Sequence, residues 1–345
     1  MSYVDGLVPA KIAVLGAGSW GTTFAKILGD AAQGTERKII LWGRRAEVVE
    51  QINDHHRNPR YLSSTELPLN ITASTDISAV LKDAELVIVA VPAQTLREQL
   101  RGWAPHLAKD AVVVSLMKGL ELHTDQRMSQ VIMEELGLTP NRVVVVSGPN
   151  LAMEIARQEP TASVVACADE ETAGWVAAVC TPPYFRPYTN ADVVGVEIGG
   201  ILKNVIALCV GICEGRKMGD NTKASVITRG LAETTRLALA LGGKAETLSG
   251  LAGLGDLVAT CSSSLSRNHT AGRMLGEGLT LDEVNNRMTQ TAEGIKSARA
   301  VKDLGAKVGV EMPLTNAVVA VLEGKLSVDD LGPLLLAREL KSEGD

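Results

Sequence analysis

Two lysines, an aspartate and an arginine are the side chains of this sequence whose surroundings best suit them to chemistry. Lys203 stands inside residues 195–213, GVEIGGILKNVIALCVGIC, a predominantly apolar stretch in which Glu197 and Asn204 are the other charged or amide side chains. A lone lysine there either snorkels to the surface or serves a site. Asn204 beside it, and Gly199 and Gly200 one turn earlier, favour service. Two adjacent glycines cost a helix about 1–2 kcal/mol, so something must pack closely, either another helix or a ligand. Lys118, in Ser115-Leu116-Met117-Lys118-Gly119, follows a strand-like run. It could be a surface lysine in a turn, but ligands in open α/β sheets gather beyond strand ends, which favours a site. Asp256 lies in LAGLGDL among apolar neighbours and needs a cationic or hydrogen-bonding partner. Lys203 is the candidate partner. Ser266-Arg267-Asn268 joins a hydroxyl cap and a guanidinium to a helix expected at 270–276, an arrangement suited to an anion. A positioned ammonium can give a proton to an oxygen on which negative charge is growing.

The elements that must hold these groups begin with KIAVL at 11–15, a short buried strand. It runs into Gly16-Ala17-Gly18-Ser19-Trp20-Gly21 and a helix to about residue 32. That is GxGxxG in its required setting, with the first glycine for the turn, the second for approach of a pyrophosphate and the third for helix–strand packing. KIIL at 38–41 completes a βαβ unit. After it come Arg44 and Arg45 with no acid until Glu47, so the pattern leans to NADP(H), with NAD(H) possible. For Arg45 especially, the ordinary alternative is a solvated residue at a helix start.

Further strands are expected at 86–91, 111–115, 143–146 and 161–167, separated by helices near 75–82, 94–104, 124–136 and 150–157. The loops after three of these strands, at 91–94, 115–119 and 147–150, should border one crevice. Asn150 there either caps the next helix, faces the crevice, or does both. Residues 180–190, with three prolines, read as a non-helical approach to the long apolar stretch, and nearly everything beyond reads as helix. The expected fold is α/β: a Rossmann-type domain with a mostly parallel sheet over 1–190, followed by an all-helical domain over 191–345.

At 345 residues the chain is long enough for two cores, and 46% hydrophobic with 21% charged residues describes a soluble globular protein. A net charge of −6 argues against nucleic acid as a partner and requires a local basic pocket for any anionic ligand. A membrane span over 195–213 is disfavoured by Lys203 and Asn204 near its middle and by the lack of a flanking basic cluster. Five cysteines without a CxxC pair read as reduced, buried thiols of a cytoplasmic protein. Cys209 and Cys213 share a helix face without a nearby histidine, so no metal site is expected. MSYVDGLVPAK lacks the marks of a signal peptide, and residues 340–345 read as a frayed tail.

With these motifs in hand, the chain resembles the NAD(P)-dependent glycerol-3-phosphate dehydrogenases in their bacterial soluble form. The likeness rests on GAGSWGT at 16–22, MKGLE at 117–121, SGP at 147–149, GVEIGGILKNVIA at 195–207, GDNTKASVITRG at 219–230, AGLGDLVATC at 252–261 and SRN at 266–268. It implies interconversion of dihydroxyacetone phosphate and sn-glycerol 3-phosphate, chiefly the reduction that supplies phospholipid synthesis. By resemblance, Lys203 is the catalytic proton donor and acceptor, Lys118 the second lysine facing substrate and cofactor, and Asp256 the acid beside them. Gly148, Asn150, Asn204, Ser266, Arg267 and Asn268 match substrate positions, the last three at the phosphate end. Ser19, Trp20, Arg44, Ala152, Arg267 and Glu293 match cofactor positions. Asn150 stands where bacterial members usually carry Ser or Thr. A homodimer is expected from the apolar helical half. Two rivals are a reductase of the same plan acting on another hydroxy- or keto-acid, and a dinucleotide sensor without turnover.

Overall fold

The computed structural model describes residues 8–288 and 292–336. The first seven residues, Thr291 and the tail at 340–345 therefore lie outside the described residues.

Ten strands form among the described residues: β1 (Lys11–Leu15), β2 (Lys38–Trp42), β3 (Arg57–Asn58), β4 (Leu62–Glu66), β5 (Ile71–Ser74), β6 (Leu86–Val89), β7 (Val112–Ser115), β8 (Val143–Ser147), β9 (Thr161–Ala166) and β10 (Phe185–Asn190). Eight of them make one sheet in the order β10-β9-β8-β7-β6-β1-β2-β5, while β3 and β4 form a separate hairpin. Six strands of the sheet run in parallel, and β9 and β10 run against them. Helices cover both faces, which is why strands such as VVVV need no polar alternation. Ile12 and Val14 pack on one face with Phe24, Ile27 and Val176, while Ala13 and Leu15 pack on the other with Leu100, Trp103 and Val131.

The reversal at β9 follows from a short connection. The segment from β8 to β9 contains only the five-residue helix Ala152–Ala156. At 1.5 Å per residue that helix cannot carry the chain back along a strand, so β9 enters antiparallel. Residues 180–190 are not merely an approach: they include edge strand β10, where Pro187 is tolerated because one side has no neighbour.

The apolar stretch becomes the helix Val193–Gly215, every residue of which from Gly195 to Cys213 is buried. It is long and apolar enough to cross a membrane, yet 89% of its most apolar window is enclosed by the rest of the chain. A helix apolar all round is a core helix. Around it pack Asp220–Ala240, Asp256–Ser262, Arg267–Gly276, Glu293–Lys307 and Pro313–Leu322. The closest crossing is with Arg267–Gly276. A Cβ on Gly211 would sit 2.1 Å from the His269 carbonyl oxygen, and one on Gly272 would sit 2.1 Å from that of Leu208. Backbone thus meets backbone, which fixes where Arg267 and Asn268 lie relative to Lys203 and Asn204. The last helix among the described residues is Leu331–Leu336.

Candidate active site

The ends of β1, β6 and β7, the 150–153 segment and the helical half enclose a cleft of about 880 Å³. At one end it meets the glycine motif, whose three glycines have three different surroundings. Gly16 has φ +126°, and a Cβ there would lie 2.4 Å from the Ala90 carbonyl oxygen. A Cβ on Gly21 would lie 1.9 Å from the Gly16 carbonyl oxygen, so this glycine is spent on packing helix against strand. Gly18 has nothing within 4 Å, leaving open space above the helix Ser19–Ala31. That helix has no side-chain cap and no acid in its first turn, so its amides and dipole face the cleft unopposed. Trp20 Nε1 is buried without a protein partner among the described residues. The residues present fit a dinucleotide pyrophosphate.

Arg44 is exposed and lines this end. Arg45 also lines it, but its Nη1 donates to the Tyr61 hydroxyl at 2.9 Å. Tyr61 sits in the β3–β4 hairpin and was not legible as a site residue, because nothing local marks that hairpin as folding over the cleft. Ala152 lines the cleft beside the motif, and its carbonyl accepts from Thr23 Oγ1 at 3.3 Å.

In the middle of the cleft the two lysines meet one carboxylate. Lys203 Nζ donates to Asp256 Oδ1 and, at 2.8 Å, to Thr260 Oγ1. Lys118 Nζ donates to Asp256 Oδ2 at 2.6 Å and to the Gly148 carbonyl at 3.0 Å. Asp256 is only 1% exposed, so it touches the cleft through the lysines it holds. Gly148 likewise stands behind Lys118, with φ +130° aiming its carbonyl at the amine. Burial lowers the Lys118 pKa to about 7; Asp256 opposes the fall and the nearby charge of Lys203 adds to it. Thr260, one turn after Asp256, carries no local sequence signal and was missed.

The helical packing explains the glycine pair before Lys203. A Cβ on Gly199 would sit 2.5 Å from the Ala252 carbonyl oxygen, and one on Gly200 would sit 2.7 Å from Ser147 Oγ and 3.5 Å from Lys118 Cδ. The pair admits protein, namely the π-turn Leu251–Gly255 that leads into Asp256 and the stem of Lys118. π-turns recur at functional sites because they re-aim the residues that follow.

Beyond the lysines, Asn268 Nδ2 donates to Asn204 Oδ1 at 2.8 Å, and Gly294 N donates to Asn268 Oδ1 at 2.8 Å. The helix expected at 270–276 starts earlier, at Arg267, because Ser266 Oγ accepts from His269 N at 3.3 Å as the N-cap. Arg267 and Asn268 therefore occupy its first turn. Ser266, Arg267, Asn204 and Asn268 all line the cleft. Glu293 opens its own helix, with a carboxylate oxygen 3.4 Å from where a Cβ on Gly119 would lie. Burial raises its pKa, against the pull of Arg267 and Lys296. Asn150 lines the cleft, and neither atom of its amide has a protein partner among the described residues. It caps nothing, so of its two expected roles the structure keeps the cleft.

The chain is similar to known proteins over nearly its whole length. Residues 11–173 match the family model described as NAD-dependent glycerol-3-phosphate dehydrogenase N-terminus, and 192–332 match the corresponding C-terminus model. The chain is 56% identical over 335 residues to a glycerol-3-phosphate dehydrogenase [NAD(P)+] of Streptomyces griseus, covering 97% of each chain. It is 54% identical to the enzyme of that name from Thermobifida fusca, covering 96% of this chain and 98% of the other. The crystal structure of glycerol-3-phosphate dehydrogenase from Coxiella burnetii superposes with a TM-score of 0.89 at 37% identity, covering 95% of this chain and 99% of that one. This chain belongs to the NAD-dependent glycerol-3-phosphate dehydrogenase family.

Proposed function

We propose that the chain reduces dihydroxyacetone phosphate to sn-glycerol 3-phosphate with NAD(P)H, reversibly, and so supplies glycerophospholipid synthesis. The observation that carries this reading is the Asp256 carboxylate bridging Lys118 and Lys203 in the same cleft as the glycine motif and Arg267. When bound, the nicotinamide supplies a hydride to the ketone carbon; the protein supplies everything else. The Lys203 ammonium, aimed by Asp256 and Thr260, gives a proton to the carbonyl oxygen as negative charge grows there, and takes it back as an amine in the reverse direction. Lys118 is the second cation beside that oxygen. Arg267, Asn268 and the amides of their helix hold the phosphate, with Ser266 as cap and Asn204 fixing Asn268. The free Asn150 amide can donate to or accept from a substrate hydroxyl.

Gly16, Gly18, Ser19, Trp20 and Gly21 hold the pyrophosphate end, and Ala152, Arg267 and Glu293 hold the nicotinamide end. Exposed Arg44, with Arg45 tied to Tyr61, supports a preference for the 2′-phosphate of NADPH. We divide the chain at 190/191 into a cofactor domain and a substrate domain. A homodimer follows from the apolar helical half, and a cytoplasmic setting from five unpaired thiols. Sedimentation tests the dimer.

Loss of NADPH absorbance on adding dihydroxyacetone phosphate tests the reaction. Oxidation by another ketone instead supports a different reductase, and oxidation by none supports a sensor. The lysine–aspartate arrangement speaks against the sensor, which has no use for a proton donor.

A further inference from the structure

The segment that carries Lys118 is a strap between the two halves of the molecule. It leaves β7 and ends at residue 127, where the helix Met128–Leu136 begins. On the sheet side it is held by Gln94, whose amide donates to the Leu120 carbonyl at 2.7 Å and accepts from Leu122 N at 3.0 Å. Arg97 adds an ion pair with Glu121 at 2.8 Å. On the helical side, Leu120 is buried in the core around the central helix. Two carboxylates of the helical half then grip the strap near its two ends. Asp256 takes Lys118. Glu197, on the central helix two turns before Lys203, takes the far end.

Glu197 is 4% exposed and accepts three hydrogen bonds there: one from Arg127 Nη1 at the strap's end, and two from Ser129 in the first turn of the helix that follows, from its N at 3.0 Å and its Oγ at 2.6 Å. One ionic tether lets a loop pivot, whereas two, with an apolar plug between them, fix its orientation. We propose that Glu197 is a positioning residue for the reaction: by clamping Arg127 and Ser129 to the central helix it holds the Lys118 ammonium against Asp256, beside Lys203. The inference rests on the role given to Lys118 above.

The test compares Glu197→Gln, which keeps the volume and loses the charge, with wild type and with Lys118→Met. Glu197→Gln is expected to lose kcat by about tenfold with the KM for NADPH unchanged, as an interaction acting on the reacting geometry should. Its pH profile carries a second signature. In wild type, Lys118 is faced by Asp256 and Lys203 and titrates at about 7. Released from that enclosure it regains basicity, so the alkaline limb of kcat/KM moves to higher pH. A purely structural Glu197 lowers thermal stability but leaves kcat and the limb at their wild-type values, and that result overturns the inference. If Glu197→Gln does not fold, Arg127→Met removes the same ion pair from the strap's side and leaves Glu197 its two Ser129 donors, with the same losses expected. If Lys118→Met turns over at the wild-type rate, the reading of Lys118 fails, and that outcome is distinct from a slow Lys118→Met beside a normal Glu197→Gln.

Discussion

The two ends of the cleft bind by opposite means. The sheet end offers backbone: an uncapped helix N-terminus, a turn that only glycine tolerates at Gly16, and the empty space where Gly18 lacks a side chain. The helical end offers side chains, Lys203, Thr260, Arg267 and Asn268, drawn from three helices and made neighbours by close helix crossings. Backbone recognition suits a ligand held the same way throughout the reaction. Side chains can change protonation, and that is what the reacting end requires. Asp256 joins the two regimes by holding one lysine from each half.

Changes at the helical end should therefore strike turnover or the binding of the triose phosphate, and changes at the sheet end should strike cofactor binding. The largest effect is expected from Lys203→Met. Its kcat should fall by about 10²–10⁴-fold, the range for losing a positioned acid, while NADPH binding, followed by fluorescence, stays intact. Arg267→Met should raise the KM for dihydroxyacetone phosphate by about tenfold to a hundredfold, since a charge-assisted phosphate contact is worth roughly 1.5–3 kcal/mol. A rise in the KM for NADPH instead would blur the contrast between the ends.

The third prediction concerns pH. Lys118 acts as a cation, so kcat/KM for the reduction should fall by about tenfold per unit as pH rises above about 7, where this amine loses its proton. Stability runs the other way. The folded pKa lies below the ordinary 10.5, so the unfolded chain takes up the proton first as pH falls from about 10.5 to about 7, and the destabilisation is complete below that. Thermal melts across this range should show a Lys118→Met variant gaining on wild type towards neutral pH. The smallest effect is expected at the sheet end's rim. Arg44→Ser should narrow the NADPH over NADH preference by about tenfold or less, because an exposed ion pair contributes about 1 kcal/mol or less. An unchanged ratio of kcat/KM for the two cofactors shifts the 2′-phosphate to Arg45 and Tyr61.

The same contrast governs what could be read from sequence. The sheet end was legible because its chemistry is contiguous: six residues between a strand and a helix state the whole motif. The central helix was legible from its predominantly apolar character, and Lys203 from being the single cation within it. The Asp256–Lys203 pair could be guessed from the cost of burying a carboxylate. Thr260 could not, because only the turn of the Asp256–Ser262 helix makes it a neighbour of Lys203. Tyr61 depends on where a short hairpin lands. The direction of β9 depends on how far a five-residue helix can reach, and β10 hid behind prolines that an edge strand tolerates. The meaning of Gly199 and Gly200, left open between helix and ligand, was settled by tertiary packing against the π-turn and Lys118.

The most direct test of the shared carboxylate is Asp256→Asn, which keeps the shape and removes the charge that holds both lysines. Steady-state kinetics with dihydroxyacetone phosphate and NADPH should show kcat reduced by about 10²-fold or more, the scale for losing one preorganised electrostatic contact, with NADPH affinity unchanged. A folded Asp256→Asn enzyme that turns over at nearly the wild-type rate would contradict the account.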